Sequence, residues 1–315
     1  MNKLQALFAV MLLLASHAMA GASRYEFALI GDAPYNAIAR GQFIDMLKKM
    51  GEQPFAFIIH DGDFKDGASA CSDAVFADRL ALFNGSAHPF VFVPGDNEWT
   101  DCHRFTAGSY HPEERLARLR EMFFLKPFTL GKKRFELESQ SQAGPPHAAY
   151  REHLRWQRGP VLFVTLNVPG SRNNIGQRDH PSSEYLSRHA AVIDWMTSSF
   201  EIAARRGMKG IVLVMQADPH FEDYRAGKTV VGYNDFLNHL THEVTRFSGQ
   251  VMLVHGDTHT LTIDQPLRHP KTGAVIETFT RIQTYGHPYA GWVRVVVDES
   301  GKQLFKITAE PWQGE

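Results

Sequence analysis

Apolar residues fall along this chain in short dense runs, separated by stretches where they recur every three or four positions. The runs YEFALI (25–30), FAFIIH (55–60), FVFV (90–93), GIVLVMQ (210–216) and VMLVH (251–255) are nearly all apolar or β-forming. Runs of that length predict strands buried on both faces. Between them, Phe43, Ile44, Leu47 and Met50 predict a helix over 38–50, and Val75, Phe76, Leu80 and Phe83 another over 71–84. Pro112 opens a third helix, with Glu113 and Glu114 suiting the positive end of its dipole. Residues 182–206 form a long amphipathic pattern with Ser182 or Ser183 as its cap, and 233–247 a further helix. AYREHLRWQ and VLFVTLNV flank Arg158-Gly159-Pro160 and predict a hairpin. Residues 125–148 are punctuated by Pro127, Gly131, Gly144, Pro145 and Pro146, as in an insertion or long loop. From Leu261 onward only strands are expected, over 261–264, 275–284, 292–297 and 303–309.

Short apolar strands alternating with helices define an α/β protein whose sheet is covered on both faces. The strand-rich tail must complete a second sheet or extend the first. Reactive residues of such sheets gather beyond the carboxyl ends of the strands. The first twenty residues stand apart. Lys3 precedes the apolar run LFAVMLLLA (7–15), and Ala18-Met19-Ala20 follows as a small-x-small cleavage site. Residues 1–20 therefore read as a signal peptide, leaving 21–315 as one domain, periplasmic or secreted. The run is too short for a stable membrane anchor, and no twin-arginine pair is present, which points to the general secretory route. A formal net charge of −1 implies no nucleic-acid partner. Cys71 and Cys102 are the two cysteines; in an oxidising compartment the pair reads as a disulfide, the alternative there being two unpaired thiols.

The candidate chemistry lies in the turns. Gly-Asp occurs four times, as Gly31-Asp32, Gly62-Asp63, Gly95-Asp96 and Gly256-Asp257, and each pair follows a predicted strand. Gly permits a sharp turn and close approach, and Gly-Asp is also a common turn dipeptide. Four such carboxylates at one sheet edge would repel one another unless a cation stood among them.

The series LIGDAPY, HDGDFKDG, PGDNEW, VMQADPH and HGDTHT, from residue 30 to 260, resembles in order the five loops of the calcineurin-like metallophosphatases. The resemblance implies a four-layer fold, two mixed β-sheets packed face to face with flanking helices. It also implies two divalent ions sharing the second-loop aspartate, with a metal-activated water attacking phosphorus. Carried over position by position, Asp32 keeps the first aspartate while Pro34 replaces its histidine, a place that Tyr35 or water would fill. Asp63 keeps the bridging carboxylate and Asp66 the later aspartate. Asp96 replaces the third-loop asparagine, Asn97 the following histidine, and Glu98 is retained. Gln216 stands for the fourth-loop histidine and Asp257 for the first histidine of the fifth loop, while His259 keeps the second. The implied metal ligands are Asp32, Asp63, Asp96, Gln216, Asp257 and His259. Oxygen-rich ligands favour Mg²⁺, Mn²⁺ or Ca²⁺ over Zn²⁺.

The expected activity is metal-dependent hydrolysis of a small phosphate mono- or diester, with Asn97, Glu98 and His220 as catalytic candidates. His103, Arg104 and Asn173 are candidates for substrate binding, and a Cys71–Cys102 bridge would brace the Asp63 and Asp96 loops. Two alternatives stay open: a catalytically degenerate binding protein on the same scaffold, and a structural Ca²⁺-binding protein.

Overall fold

The computed structural model describes residues 23–314, so the expected leader at 1–20 lies outside the described residues. The apolar runs form the strands. In chain order these are β1 (Arg24–Ile30), β2 (Phe55–His60), β3 (Phe90–Phe92), β4 (Glu138–Ser139), β5 (Leu154–Arg158), β6 (Val161–Thr165), β7 (Gly176–Gln177), β8 (His180–Pro181), β9 (Gly210–Val214), β10 (Gln250–His255), β11 (Thr262–Asp264), β12 (Phe279–Gln283), β13 (Ala290–Asp298) and β14 (Phe305–Trp312). One sheet has five strands in the order β14-β13-β1-β2-β3, the other seven in the order β11-β12-β10-β9-β6-β5-β4. Both are mixed: β1, β2 and β3 run parallel while β13 is antiparallel to β1. Likewise β6, β9, β10 and β12 run parallel while β5 and β11 are antiparallel to their neighbours. The strand-rich tail serves both sheets, β11 and β12 extending the second and β13 and β14 the first.

Strand alternation sets the layers. Phe163 on β6 faces the other sheet, its ring edge-on to Phe27 at 5.2 Å and Phe57 at 5.1 Å. Its neighbours Leu162 and Val164 face the opposite way, into a second core with Trp195, Met196, Phe236 and Leu240. Those four come from the helices Ser183–Arg205 and Asn234–Arg246, which cover the outer face. The helix Ala37–Gly51 is capped by the Asn36 side chain, which accepts from Ala39 N at 2.9 Å. Ser182 caps Ser183–Arg205 through Tyr185 N at 3.1 Å. The helix expected over 71–84 starts at Asp73, because Ser72 is its cap and Cys71 is tied into a disulfide. The expected strand over 275–284 is confined to Phe279–Gln283, the stretch that pairs with β10.

Candidate functional site

The carboxyl ends of β1, β2, β3 and β10 each pass into one of the Gly-Asp turns, and the two sheets bring those ends to one rim. Asp32, Asp63, Asp257 and His259 hold φ of 45°, 58°, 81° and 62°. Left-handed backbone costs a residue with a side chain roughly 1–2 kcal/mol, a cost met here where four polar groups must turn inward. The glycines allow the turns to touch. A methyl group on Gly95 would lie 2.1 Å from Asp63 Oδ1, and one on Gly256 would lie 2.2 Å from Asp32 Oδ2 and 3.1 Å from Asp61 Oδ1.

The site is a cluster of buried acids. Asp32, Asp61, Asp63 and Asp96 are all buried. Asp32 Oδ1 and Oδ2 accept from Asp257 N at 3.2 and 3.0 Å. Asp257 Oδ2 accepts from Asp218 N at 2.9 Å. Asp96 Oδ2 accepts from Ser171 Oγ at 2.8 Å, and the same hydroxyl reaches Asp101 Oδ1 at 2.7 Å. Burial, then the neighbouring carboxylates, holds the carboxyls of Asp32 and Asp63 well above the usual range; burial does the same to Asp61. Asp96 and Asp257 are raised by burial first as well. The nearby cations are committed elsewhere. Lys65 Nζ donates to the carbonyls of Asp66 and Asn97 at 2.8 and 2.7 Å, and Arg104 pairs with Asp101 at 2.6 Å. Among the described residues, no lysine or arginine forms an ion pair with Asp32, Asp63, Asp96 or Asp257.

Five of the six expected ligands therefore meet as oxygen or nitrogen donors around one rim, and the sixth meets them differently. Gln216 Oε1 accepts from Gly170 N at 2.6 Å and Asp96 N at 3.3 Å, so its Nε2 faces Asp63 Oδ2 at 3.1 Å and Asp96 Oδ1 at 3.4 Å. Asn97 points into the cluster: its N donates to Asp63 Oδ1 at 3.1 Å and its Nδ2 to Asp63 Oδ2 at 2.9 Å. Glu98 is fully buried and accepts from the backbone N–H groups of Gly95 at 2.8 Å, Asp63 at 3.2 Å and Phe64. Burial pushes its carboxyl up to about 7. It orders the loops and has no path to a substrate. Asp66 folds onto its own turn, accepting from Ala68 N and Ser69 N at 2.8 and 2.9 Å, and does not join the cluster. Tyr35 fills the place beside Pro34, its hydroxyl 3.3 Å from Asp32 Oδ1 and 3.0 Å from His259 Nε2.

The outer candidates divide. Arg104 lies at the rim, where a methyl group on Gly67 would meet both its Nη1 at 2.8 Å and Asn97 Oδ1 at 2.9 Å. His220 is half-exposed, its Nδ1 3.7 Å from Asp218 Oδ2 beside Asp257. His103 is exposed, and its Nδ1 donates to Thr100 O at 2.6 Å. Asn173 is placed otherwise than expected: it is buried, with Oδ1 bound by Arg188 at 2.6 Å and Nδ2 donating to Gly232 O at 2.9 Å. Burial closes it off from a substrate. Sequence reading missed Asp61, although the doublet Asp61-Gly62-Asp63 marks it. It also missed Ser171, which no spacing signals, and gave no role to Asp101 although it stands in the same acidic run as Asp96 and Glu98. Cys71 and Cys102 form a disulfide with Cα atoms 5.7 Å apart, linking the segments that follow the Asp63 and Asp96 loops.

No protein-family model matches the chain, and no curated protein is similar to it in sequence. Solved structures are similar in fold. A dimetal phosphatase from Danio rerio superposes over 92% of this chain and 99% of its own, with a TM-score of 0.52 at 10% identity. PhoD superposes over 91% of this chain and 68% of its own, with a TM-score of 0.52 at 11% identity. The chain has the calcineurin-like metallophosphatase fold.

The donor chemistry can be tested against divalent ions. Among the described residues, no three His, Cys, Asp or Glu side chains form a metal-binding group. Asp32 Oδ1 and His259 Nε2 nonetheless lie 3.6 Å apart, with the Tyr35 hydroxyl hydrogen-bonded to them at 3.3 and 3.0 Å, and an aspartate oxygen and an imidazole nitrogen are donors that a divalent cation takes. Burial keeps His259 below its usual pKa, and the neutral imidazole is the metal-binding form. Gln216 does not fit as a ligand, since its oxygen is already taken by two backbone N–H groups.

Proposed function

We propose that this protein is an exported, metal-dependent phosphoesterase that hydrolyses a small phosphate mono- or diester. The observation that carries the reading is the set of buried carboxylates Asp32, Asp61, Asp63 and Asp96, drawn from three turns; among the described residues none of them pairs with a lysine or arginine. Buried like charges persist only when something neutralises them. Asp32, Tyr35 and His259 would hold a divalent cation, which when bound lowers the pKa of a water and offsets phosphoryl charge. The chain's own residues supply the rest. Arg104, half-exposed beside the Asn97 amide and paired with Asp101 through Nη2, would attract an anionic phosphate with its remaining N–H groups. Asn97 donates a hydrogen bond but is no general acid, and its Nδ2 is already shared between Asp63 and the Tyr35 hydroxyl. Proton delivery then falls to the half-exposed His220, or the substrate carries a good leaving group. Without a strong acid, a loss of about 10²–10⁴-fold in rate is expected, giving a slow or selective enzyme. The disulfide and the leader-like first twenty residues support a periplasmic or secreted location.

The test is hydrolysis of p-nitrophenyl phosphate and bis(p-nitrophenyl) phosphate with Mg²⁺, Mn²⁺ or Ca²⁺, with Asp63→Asn beside the wild type. Metal-stimulated turnover lost in Asp63→Asn supports the proposal. Metal uptake without turnover across a broad ester panel supports the structural Ca²⁺ alternative, and neither uptake nor turnover supports a binding scaffold.

A further inference from the structure

We propose that segment 125–137, with the helix end it rests on, docks this protein onto an anionic phospholipid bilayer, a role that does not depend on phosphoester turnover. Residues 122–135, MFFLKPFTLGKKRF, carry the cations Lys126, Lys132, Lys133 and Arg134 and no carboxylate, in a chain whose formal net charge is −1. Backbone hydrogen bonds fix the segment. Thr129 N donates to Phe135 O at 3.1 Å and Leu137 N to Pro127 O at 2.7 Å, so the chain doubles back as a hairpin. Leu130 and Phe90 exchange both backbone hydrogen bonds, at 2.8 and 2.9 Å, which adds the hairpin to the edge of β3. Lys132 N donates to Ser86 O at 2.9 Å and Arg134 Nη2 to Asn84 Oδ1 at 2.8 Å, which pins the tip to the end of the helix Asp73–Asn84.

Cations and apolar side chains share this surface. Leu125 is 68% exposed and Phe128 43%. Both line a groove of about 220 Å³ together with Leu80, Lys126 and Arg134. A second groove, of about 600 Å³, takes in Leu82 of the same helix with Ile44, Leu47, Lys48 and Lys132. The neighbouring acids are paired elsewhere, Glu121 with Arg118 at 3.0 Å, Glu52 with Lys49 at 3.1 Å and Glu138 with Arg155. Glu136, exposed and bridged to Phe128 across the hairpin, offsets only one of the four cations. A polyanion would call for cations alone. A bilayer interface takes both parts: apolar side chains enter the acyl boundary, and each cation at the anionic headgroups contributes about fivefold in partition. The hairpin joins β3 at Phe90, its amino end, while Asp96 follows the carboxyl end, so a docked chain keeps the carboxylate rim open to solvent.

The experiment is flotation of the full chain with vesicles of phosphatidylcholine, alone or mixed with phosphatidylglycerol. The wild type is expected to float with the mixed vesicles in preference to the neutral ones, and raised salt should reduce the difference. Lys126→Gln, Lys132→Gln and Lys133→Gln together should weaken partition into the mixed vesicles about 100-fold, and Leu125→Ser with Phe128→Ser about tenfold. All five positions are exposed, so both variants should keep the wild-type circular dichroism. Asp63→Asn should float as the wild type does. Leu125→Trp gives a local readout that the first twenty residues do not move: lipids brominated along their acyl chains should quench its emission beyond that of the wild type. Equal flotation of the wild type and both multiple variants, or no added quenching in Leu125→Trp, would overturn the proposal. So would either of two outcomes without vesicle binding: heparin retention lost in the lysine variant, which assigns the surface to a polyanion, or a dimer lost in the Leu125 and Phe128 variant, which assigns it to a second copy of the chain.

Discussion

Replacing Arg188 should unfasten the turn that closes the site. Ser171, Arg172, Asn173 and Asn174 all lie in the left-handed region, with φ between 48° and 56°. At roughly 1–2 kcal/mol for each of Ser171 and Arg172, with the two asparagines tolerating the region, the run costs about 2–4 kcal/mol. Fully buried Arg188 offsets this: Nη1 donates to Asn167 O at 2.9 Å and Asn173 Oδ1 at 2.6 Å, and Nη2 to Asn173 O at 2.8 Å. Its Nε pairs with Glu184 Oε1 at 2.7 Å, and the guanidinium lies 5.2 Å from the Trp99 ring centroid. Tyr233 adds a second tie, accepting from Asn173 N at 3.1 Å and donating to Pro169 O at 2.9 Å. The turn in turn aims Gly170 N at Gln216 and Ser171 Oγ at Asp96. Arg188→Ala leaves Glu184 and three oxygens without that partner, and breaking a buried pair costs about 3–5 kcal/mol. Urea denaturation followed by tryptophan fluorescence should show a loss of about 4 kcal/mol. Arg172 is exposed, so Arg172→Gly should relieve strain and recover about 0.5–1 kcal/mol in the Arg188→Ala background. A loss under about 1 kcal/mol for Arg188→Ala, or further destabilisation by Arg172→Gly, would refute the reasoning.

Three more outcomes follow from groups around the site. Burial alone would raise the Glu152 carboxyl, but Arg120, at 2.6 and 2.8 Å, and the Asn167 amide hold it down to about 2. A lowered carboxylate pKa gives stability that is present above the unfolded value and lost as pH falls to the folded one. Acid titration should therefore show about 3 kcal/mol disappearing between about pH 4.5 and 2 in the wild type and not in Glu152→Gln; parallel curves would contradict this. The Cys71–Cys102 bridge closes a sequence separation of 31, worth about 3–4 kcal/mol by loop entropy, so Cys71→Ser with Cys102→Ser should lower the denaturation midpoint accordingly. Free thiols in non-reducing peptide maps of the exported protein would remove the basis for that figure. Glu98→Gln leaves one oxygen to serve three backbone N–H groups, and should cost about 2 kcal/mol in a melt at pH 8, where the native carboxyl is ionised; an unchanged melting midpoint would count against Glu98 as the clamp.

What the sequence disclosed and what it withheld divide along one line. Period and turn chemistry are local, so the strands β1, β2, β9 and β10, the Ser182 cap and the hairpin around Gly159 could be placed from residue order. The Gly-Asp turns belong to the same class: a strand ending in glycine must put the next carboxylate at the sheet edge, and four did so. Gln216 was legible as a residue at the ligand position but not as a donor, because its orientation depends on Gly170 N and Asp96 N, which come from two other loops. Asn173 looked available to substrate because a polar residue in a turn usually is, and its burial follows from Arg188, fifteen positions away along the next helix. The left-handed run at 171–174 has no sequence signature, since Ser and Arg resist that conformation and only the two asparagines tolerate it. Each missed feature is a hydrogen bond between distant segments, and each bears on how the carboxylates are neutralised. Residue order can show that acids gather at a sheet edge. Whether N–H groups or a cation answer their charge is decided by which loop's backbone reaches which oxygen, and here Asp63 and Asp96 receive amide hydrogens while Asp61 Oδ1 receives none.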